Sequence, residues 1–298
     1  MVLPKEVADL FQHARSLRFP GHRDEVLSLA MGSQGGGTFE VVYEVPGHGQ
    51  VLEATVTRCG NGLAVNYAEP YMRRRDPDCL VVGDEKPTDK ISFAERFGKQ
   101  FGPVRDDTFQ WLKTQPLAVI AFTLGGFDAA TGHGVLLIAP EKAGFFIGGR
   151  GDLQDMLPPD RIPENFQVKA VVYLAPPFRH THFGGKQVVV HHRTEGVHEV
   201  FSYNLYPGPS AKKGIYGVLL SLGESQEWLT LHGSTVQVVT PYDNLTTIMH
   251  EGASGSGTSE MLEYVHRQED GRLVLGRNLV TGEERRLVLN QACTLQPV

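Results

Sequence analysis

Residues 250–261 read HEGASGSGTSEM, from His250 to Met261. A loop that cradles phosphate through its backbone N–H groups follows the pattern G-x-x-x-x-G-K-[ST]. Gly252 and Gly257 fall on its two glycines, with Ser254, Gly255 and Ser256 as small residues between them. Ser259 falls on the hydroxyl position, but Thr258 stands where the pattern has lysine. The context fits. LTTIMHE (245–251) reads as a strand feeding the loop, and SEMLEYVHRQ (259–268) as a helix whose first amides face an anion. The competing reading is a plain glycine-serine turn. The choice between them decides whether the C-terminal part is the start of a nucleotide-binding domain.

Working back from the loop, the chain alternates strand and helix signals. LAVIAFTLGG, HGVLLIAP and AGFFIGG read as apolar strands, and GDLQDMLPPDRIPENF as a helix closed by prolines. VKAVVYLAPPF, KQVVVHHR and VHEVFSYN read as further strands. SAKKGIYGVLLSLGE reads as a helix that Ser210 can cap, with Ile215, Val218, Leu219 and Leu222 on one face. Nearer the N-terminus, residues 4–18 and 23–31 read as helices. VLEATVTRCGNGLAVNY reads as a hairpin turning at Gly60-Asn61-Gly62, and RDDTFQWLKT as a helix. The tail GRLVLGRNLVTGEERRLVLN reads as a hairpin. The expected class is α/β.

The totals set limits. Of 298 residues, 41% are hydrophobic and 21% charged, as in ordinary globular chains. A net charge of −6 gives no general attraction to nucleic acid or to an anionic membrane, so neither is expected as a partner. Cys59, Cys79 and Cys293 form no CxxC pair and read as reduced thiols of a cytoplasmic protein. No apolar run approaches the roughly 18 residues of a membrane span. The N-terminal segment lacks the apolar core of a secretory signal.

Upstream of the loop stand Tyr206-Pro-Gly-Pro-Ser-Ala-Lys212-Lys213-Gly214 and a lone His232 in LTLHGST. A tyrosine, a Lys-Lys-Gly opening a helix, a histidine and then a glycine loop, in that order, resemble ATP-dependent phosphoenolpyruvate carboxykinase. Arg75-Asp76-Pro77-Asp78 corresponds to that family's carboxylate-holding arginine turn, and the similarity in order runs from about residue 65 to 260. The whole chain is also similar to the N-terminal half of a bacterial domain of unknown function (DUF4914-like) within the carboxykinase-like superfamily, in which lysine is expected at position 258.

The resemblance implies a carboxykinase-like mixed-sheet domain over residues 1–225, then an incomplete P-loop domain over 226–298. It implies catalytic roles for Lys212, Lys213 and Arg75, with Lys213, His232 and Ser259 holding Mn²⁺ or Mg²⁺. It places Arg75, Tyr206 and Lys212 around a small carboxylate or phosphate-bearing ligand. RHTHF reads separately as a polar loop beside that cleft in which Arg179 or His180 contacts an anion, or as a solvated loop. The loop from Gly252 through Ser254–Ser259 would hold ATP or another nucleotide. Two departures count against turnover. Thr258 lacks the cation that follows charge into a phosphoryl transition state. An aspartate pair after the loop, which binds metal in the family, is not found before Val298. The expectation is a degenerate or truncated member with weak or lost nucleotide binding, whose missing half a second chain could supply.

Each residue has a plainer role available. Lys212 and Lys213 can be an exposed pair at a helix start, and His232 a core histidine. Arg73, Arg74 and Arg75 can pair with Asp76 and Asp78 on the surface, although a guanidinium fork suits a carboxylate or phosphate. A non-catalytic binding or regulatory module is one alternative. A histidine-based metal enzyme is another: His180 and His182 would share a face on a strand, and His191 could complete a three-histidine site.

Overall fold

Three apolar runs, residues 117–124, 135–139 and 170–174, have the length and β-branched character of strands buried on both faces. In the computed structural model they lie side by side in one sheet. The structure describes residues 2–32, 37–60, 62–68, 79–86, 88–124, 133–154, 156–231, 233–239, 245–252, 273–277, 281, 284–289 and 295–297. The chain divides into two units, residues 1–59 with 63–222, and residues 60–62 with 223–298.

In chain order the first unit has α1 (Lys5–His13), β1 (Ser16–Arg18), α2 (Arg23–Ala30), β2 (Thr38–Val45), β3 (Gly49–Cys59), β4 (Gly62–Tyr67) and β5 (Leu80–Val82). Next come α3 (Phe93–Phe97), α4 (Gly102–Lys113), β6 (Pro116–Leu124), β7 (His133–Pro140), α5 (Gly144–Gln154) and β8 (Val168–Leu174). Then follow α6 (Phe178–Phe183), β9 (Val189–Arg193), β10 (His198–Ser202), a π-helical turn (Gly208–Lys212) and α7 (Lys213–Ser225).

Seven strands form a mixed sheet in the order β1-β6-β7-β8-β10-β9-β5. The β6–β7 and β10–β9 pairs are antiparallel, and the other four pairs are parallel. Alternate side chains enter two cores. Ala118, Ile120 and Phe122 of β6, with Leu137 and Val172, face α2, α5 and α7. Leu117, Val119 and Ala121, with Leu136 and Val171, face α1, α4 and α6. A second sheet, ordered β2-β3-β4, closes over the first core through Val41, Tyr43, Val45, Ala54 and Val56. The protein is therefore mixed α/β with parallel and antiparallel pairing.

The second unit contains the antiparallel pair β11 (Ser234–Val239) and β12 (Leu245–His250). It also contains the antiparallel sheet β13 (Leu273–Arg277), β14 (Glu284–Leu289) and β15 (Leu295–Pro297). Both hairpins expected in the sequence, at Gly60–Gly62 and in the tail, are formed. The helix expected at 259–268 lies outside the described residues.

Four local expectations are corrected. AGFFIGG belongs to helix α5, not to a strand. Gly144 lies against the backbone of α2, where an added Cβ would stand 2.6 Å from the Ala30 nitrogen. That close packing is a tertiary signal, which a short glycine-flanked apolar run does not reveal. The helix expected to start at GDLQ instead ends there, and Pro159–Arg161 forms a separate 3-10 turn. Residues 16–18 pair with β6 rather than extending α1. RHTHF is helical, in α6, and not a loop or strand.

Candidate functional site

β10 delivers the chain to the Tyr206 turn, and short polar contacts fix its exit. The Ser202 hydroxyl donates to the Asn204 carbonyl at 2.7 Å, and the Tyr206 N–H donates to the Asn204 side chain at 2.7 Å. Pro207 and Pro209 then stiffen a turn that widens into π geometry over Gly208–Lys212. Such departures from the α ladder are frequent at functional sites. Ser210 does not cap α7. It sits inside the turn, fully buried, and its hydroxyl has no hydrogen-bond partner among the described residues. Lys212 and Lys213 are exposed, and neither has an ion-pair partner among the described residues. The Tyr206 ring is 41% exposed and meets Tyr67 edge-on, with centroids 6.0 Å apart. Tyr67 packs on Phe145 of α5 and donates to the Leu205 carbonyl at 3.4 Å. Burial, with Tyr206 adding, pushes the Tyr67 hydroxyl above its ordinary range.

Arg150 lies on α5, which packs against this turn; an added Cβ at the adjacent Gly149 would be 3.5 Å from Pro207. The Arg150 side chain is 1% exposed. None of its three guanidinium nitrogens has a hydrogen-bond partner among the described residues. Its Cζ stands 4.3 Å from the centre of the Phe122 ring. Burial alone draws its pKa down to about 9, which leaves it cationic at neutral pH. An unpaired buried charge costs several kcal/mol, more than a cation–π contact of about 2 kcal/mol returns.

A second polar cluster sits where α6 meets β3. A bulge at Val41/Val42 sets Glu53 beside Ala54 with both side chains inward, so Glu53 is wholly buried. Re-aiming a side chain is what a bulge does. Arg179 donates to Glu53 Oε2 at 2.9 Å and to the Gly185 carbonyl at 3.0 Å. His180 Nε2 meets Glu53 Oε1 at 2.6 Å. Arg179 thus faces an anion supplied by the chain itself. Tyr43 stands nearby, its buried hydroxyl without a partner among the described residues, and burial plus the Glu53 charge raise its pKa.

The histidines of the alternative metal reading are not brought together. His180 goes to Glu53. His182 stacks on Phe178 with ring centres 4.4 Å apart and lies 3.4 Å from Asp107. His191 Nδ1 meets His198 Nε2 at 2.8 Å. Among the described residues no group of three His, Cys, Asp or Glu side chains could hold a metal ion. A cavity of about 800 Å³ lies near α2, and both of its cations are engaged. Arg18 pairs with Glu141 at 3.0 Å, and Lys142 donates to the Val42 carbonyl at 3.0 Å.

Of the residues singled out in the sequence, the structure places Tyr206, Lys212 and Lys213 on one turn and Arg179 in the Glu53 cluster. Gly252 is exposed just beyond β12. Arg75, His232 and the loop residues Ser254, Gly255, Ser256, Gly257, Thr258 and Ser259 lie outside the described residues. Of the implied metal donors, Lys213 alone is described. Arg150 and Glu53 went unnoticed in the sequence. The signal for each was one charge inside an apolar segment, FFIGGRG and VLEATV.

These features define an α/β protein with a mixed sheet and a basic turn at the start of a helix, uncompensated among the described residues. The chain belongs to the family described as a domain of unknown function, DUF4914, whose family model matches residues 3–298. No curated protein matches the chain. No helix among the described residues is long and apolar enough to cross a membrane.

Proposed function

We propose that this chain is a carboxykinase-like protein that binds a small carboxylate- or phosphate-bearing anion at the Tyr206–Lys213 turn and does not turn over ATP. One observation carries the reading: two exposed lysines, without carboxylate partners among the described residues, share a rigid turn with a half-exposed tyrosine. The order of Tyr206, Lys212, Lys213, His232 and the 252–259 loop supports it. If relatives that keep the loop lysine are enzymes, their reaction would be metal-assisted phosphoryl transfer involving a small carboxylate. Arg75 would then hold the carboxylate, Lys213, His232 and Ser259 would hold Mn²⁺ or Mg²⁺, and the loop N–H groups would hold the phosphates. Thr258 keeps a hydroxyl but removes the cation that phosphoryl transfer needs.

The test is calorimetric titration of ATP with Mn²⁺ into the native chain and into Thr258→Lys. The expected result is weak or no binding by the native chain and metal-dependent binding by the variant. Tight binding and hydrolysis by the native chain would overturn the claim that turnover is lost. Silence from both would remove the nucleotide loop from the reading and leave a binding module for small anions.

A further inference from the structure

Two buried polar groups lack partners in elements that touch. One is the Arg150 guanidinium, 1% exposed with all three nitrogens unsatisfied among the described residues. The other is the Ser210 hydroxyl, fully buried and equally unsatisfied. Buried donors are nearly always hydrogen-bonded, and a buried charge nearly always has a counter-charge. The two exceptions lie in contacting elements, so one acceptor between α5 and the turn would satisfy both.

Arg150 is held inward by its surroundings. Gly148, Gly149 and Gly151 flank it, and added Cβ atoms there would meet Val26 at 3.3 Å, Pro207 at 3.5 Å and Met156 at 3.5 Å. Phe122 closes one face of the guanidinium. The edge of the fork can take two oxygens of one anion, and Ser210 can donate to a third. Lys212 and Lys213, on the same turn as Ser210, are exposed cations that draw an anion toward it.

We infer that Arg150 and Ser210 form the inner end of a buried anion subsite that takes a small oxyanion, carboxylate or phosphate, with Lys212 at its outer end. The inference rests on the anion-binding reading of the Tyr206–Lys213 turn for its outer half. It requires nothing of the 252–259 loop.

Inorganic phosphate and oxalate are titrated separately into the full chain, with chloride at matched ionic strength as control, and melting is followed with and without each anion. Four variants are compared: Arg150→Met, Arg150→Lys, Ser210→Ala and Lys212→Ala. The native chain should bind one or both anions saturably and melt higher with the anion, and the preferred one identifies the source. Arg150→Met should bind about tenfold more weakly or worse, on the scale of one charge-assisted hydrogen bond. Without anion it should melt no lower than native, because the unpaired charge is gone. Arg150→Lys keeps the charge but not the fork, and should bind more weakly while folding normally. Ser210→Ala should weaken binding a few-fold.

If Arg150→Lys binds like native while Lys212→Ala does not, the subsite is wrong and the turn reading survives. If Arg150→Lys loses binding and Lys212→Ala keeps it, the buried subsite stands and the turn reading fails. If Arg150→Met melts far below native in anion-free buffer and Arg150→Lys keeps the anion response, Arg150 is packing and the inference is overturned. No saturable binding by the native chain overturns it as well.

Discussion

Arg179 and Arg150 are both buried arginines, yet their surroundings differ. Arg179 has a carboxylate at 2.9 Å and a carbonyl at 3.0 Å, while Arg150 has an aromatic face. The sequence shows two cations but not this difference, because Glu53 lies far away in the chain and reaches Arg179 through a bulge. Removing one partner of a buried pair leaves the other uncompensated, which typically costs about 3–5 kcal/mol. Glu53→Gln should therefore destabilise the protein by about that amount, read as a lower urea midpoint. Replacing both groups, Glu53→Leu with Arg179→Met, should cost less than the two single changes added together. Additive losses would show that the pair does not couple. Arg75, His232 and Thr258 were conspicuous in the sequence as chemistry. Their typical partners are long-range, and no local pattern names those partners.

Helix α7 crosses the sheet over β9 and β10 at close range. Gly214 lies against Val200, where an added Cβ would be 3.2 Å from Cγ1, and Gly217 faces the His191 ring, where it would be 2.7 Å from Cε1. The apolar face expected for this helix is partly realised, since Ile215 and Val218 are buried and Leu219 is 38% exposed. Beneath it His191 and His198 share one hydrogen bond, and burial holds their pKa values near 4 and 3, with the Arg193 charge lowering both and Asp84 opposing. In the unfolded chain both titrate near 6.5. Between these values the unfolded state binds more protons than the folded one, so stability is full above pH 6.5 and falls as pH drops toward 4. The loss is on the order of a few kcal/mol for the pair. Urea midpoints at pH 7 and pH 5 should separate clearly for the native chain and less for His198→Asn; equal separations would mean the pair does not set the acid limit. Strands β6, β7 and β8 were legible because two-sided burial demands continuous apolar runs. α5 and α6 were not, because a glycine in a close helix contact and a histidine on a short helix look local but answer to tertiary packing.

At the scale of the molecule, the cores and the proposed anion site belong to one unit. Every buried residue of both cores lies within residues 7–218. The sheet ends on two strands of three residues each, β1 and β5, and short edges resist pairing with other chains. Arg150, Ser210, Lys212 and Tyr206 all fall within residues 63–222, while the glycine loop falls in the unit formed by 60–62 and 223–298. The proposed anion site and the glycine loop therefore belong to separately organised parts of the chain and can be tested apart. A chain of residues 1–222 should fold cooperatively, with the far-UV signal of a mixed α/β protein and one urea transition, because it keeps both cores whole. It should also bind phosphate or oxalate within a few-fold of the full chain, and Arg150→Lys should weaken that binding as it does in the full chain. If residues 1–222 fold but no longer bind, groups from 223–298 complete the anion site, and the basic turn alone is not enough. If they do not fold, the two units depend on each other for stability and the division of the chain is one of contacts only.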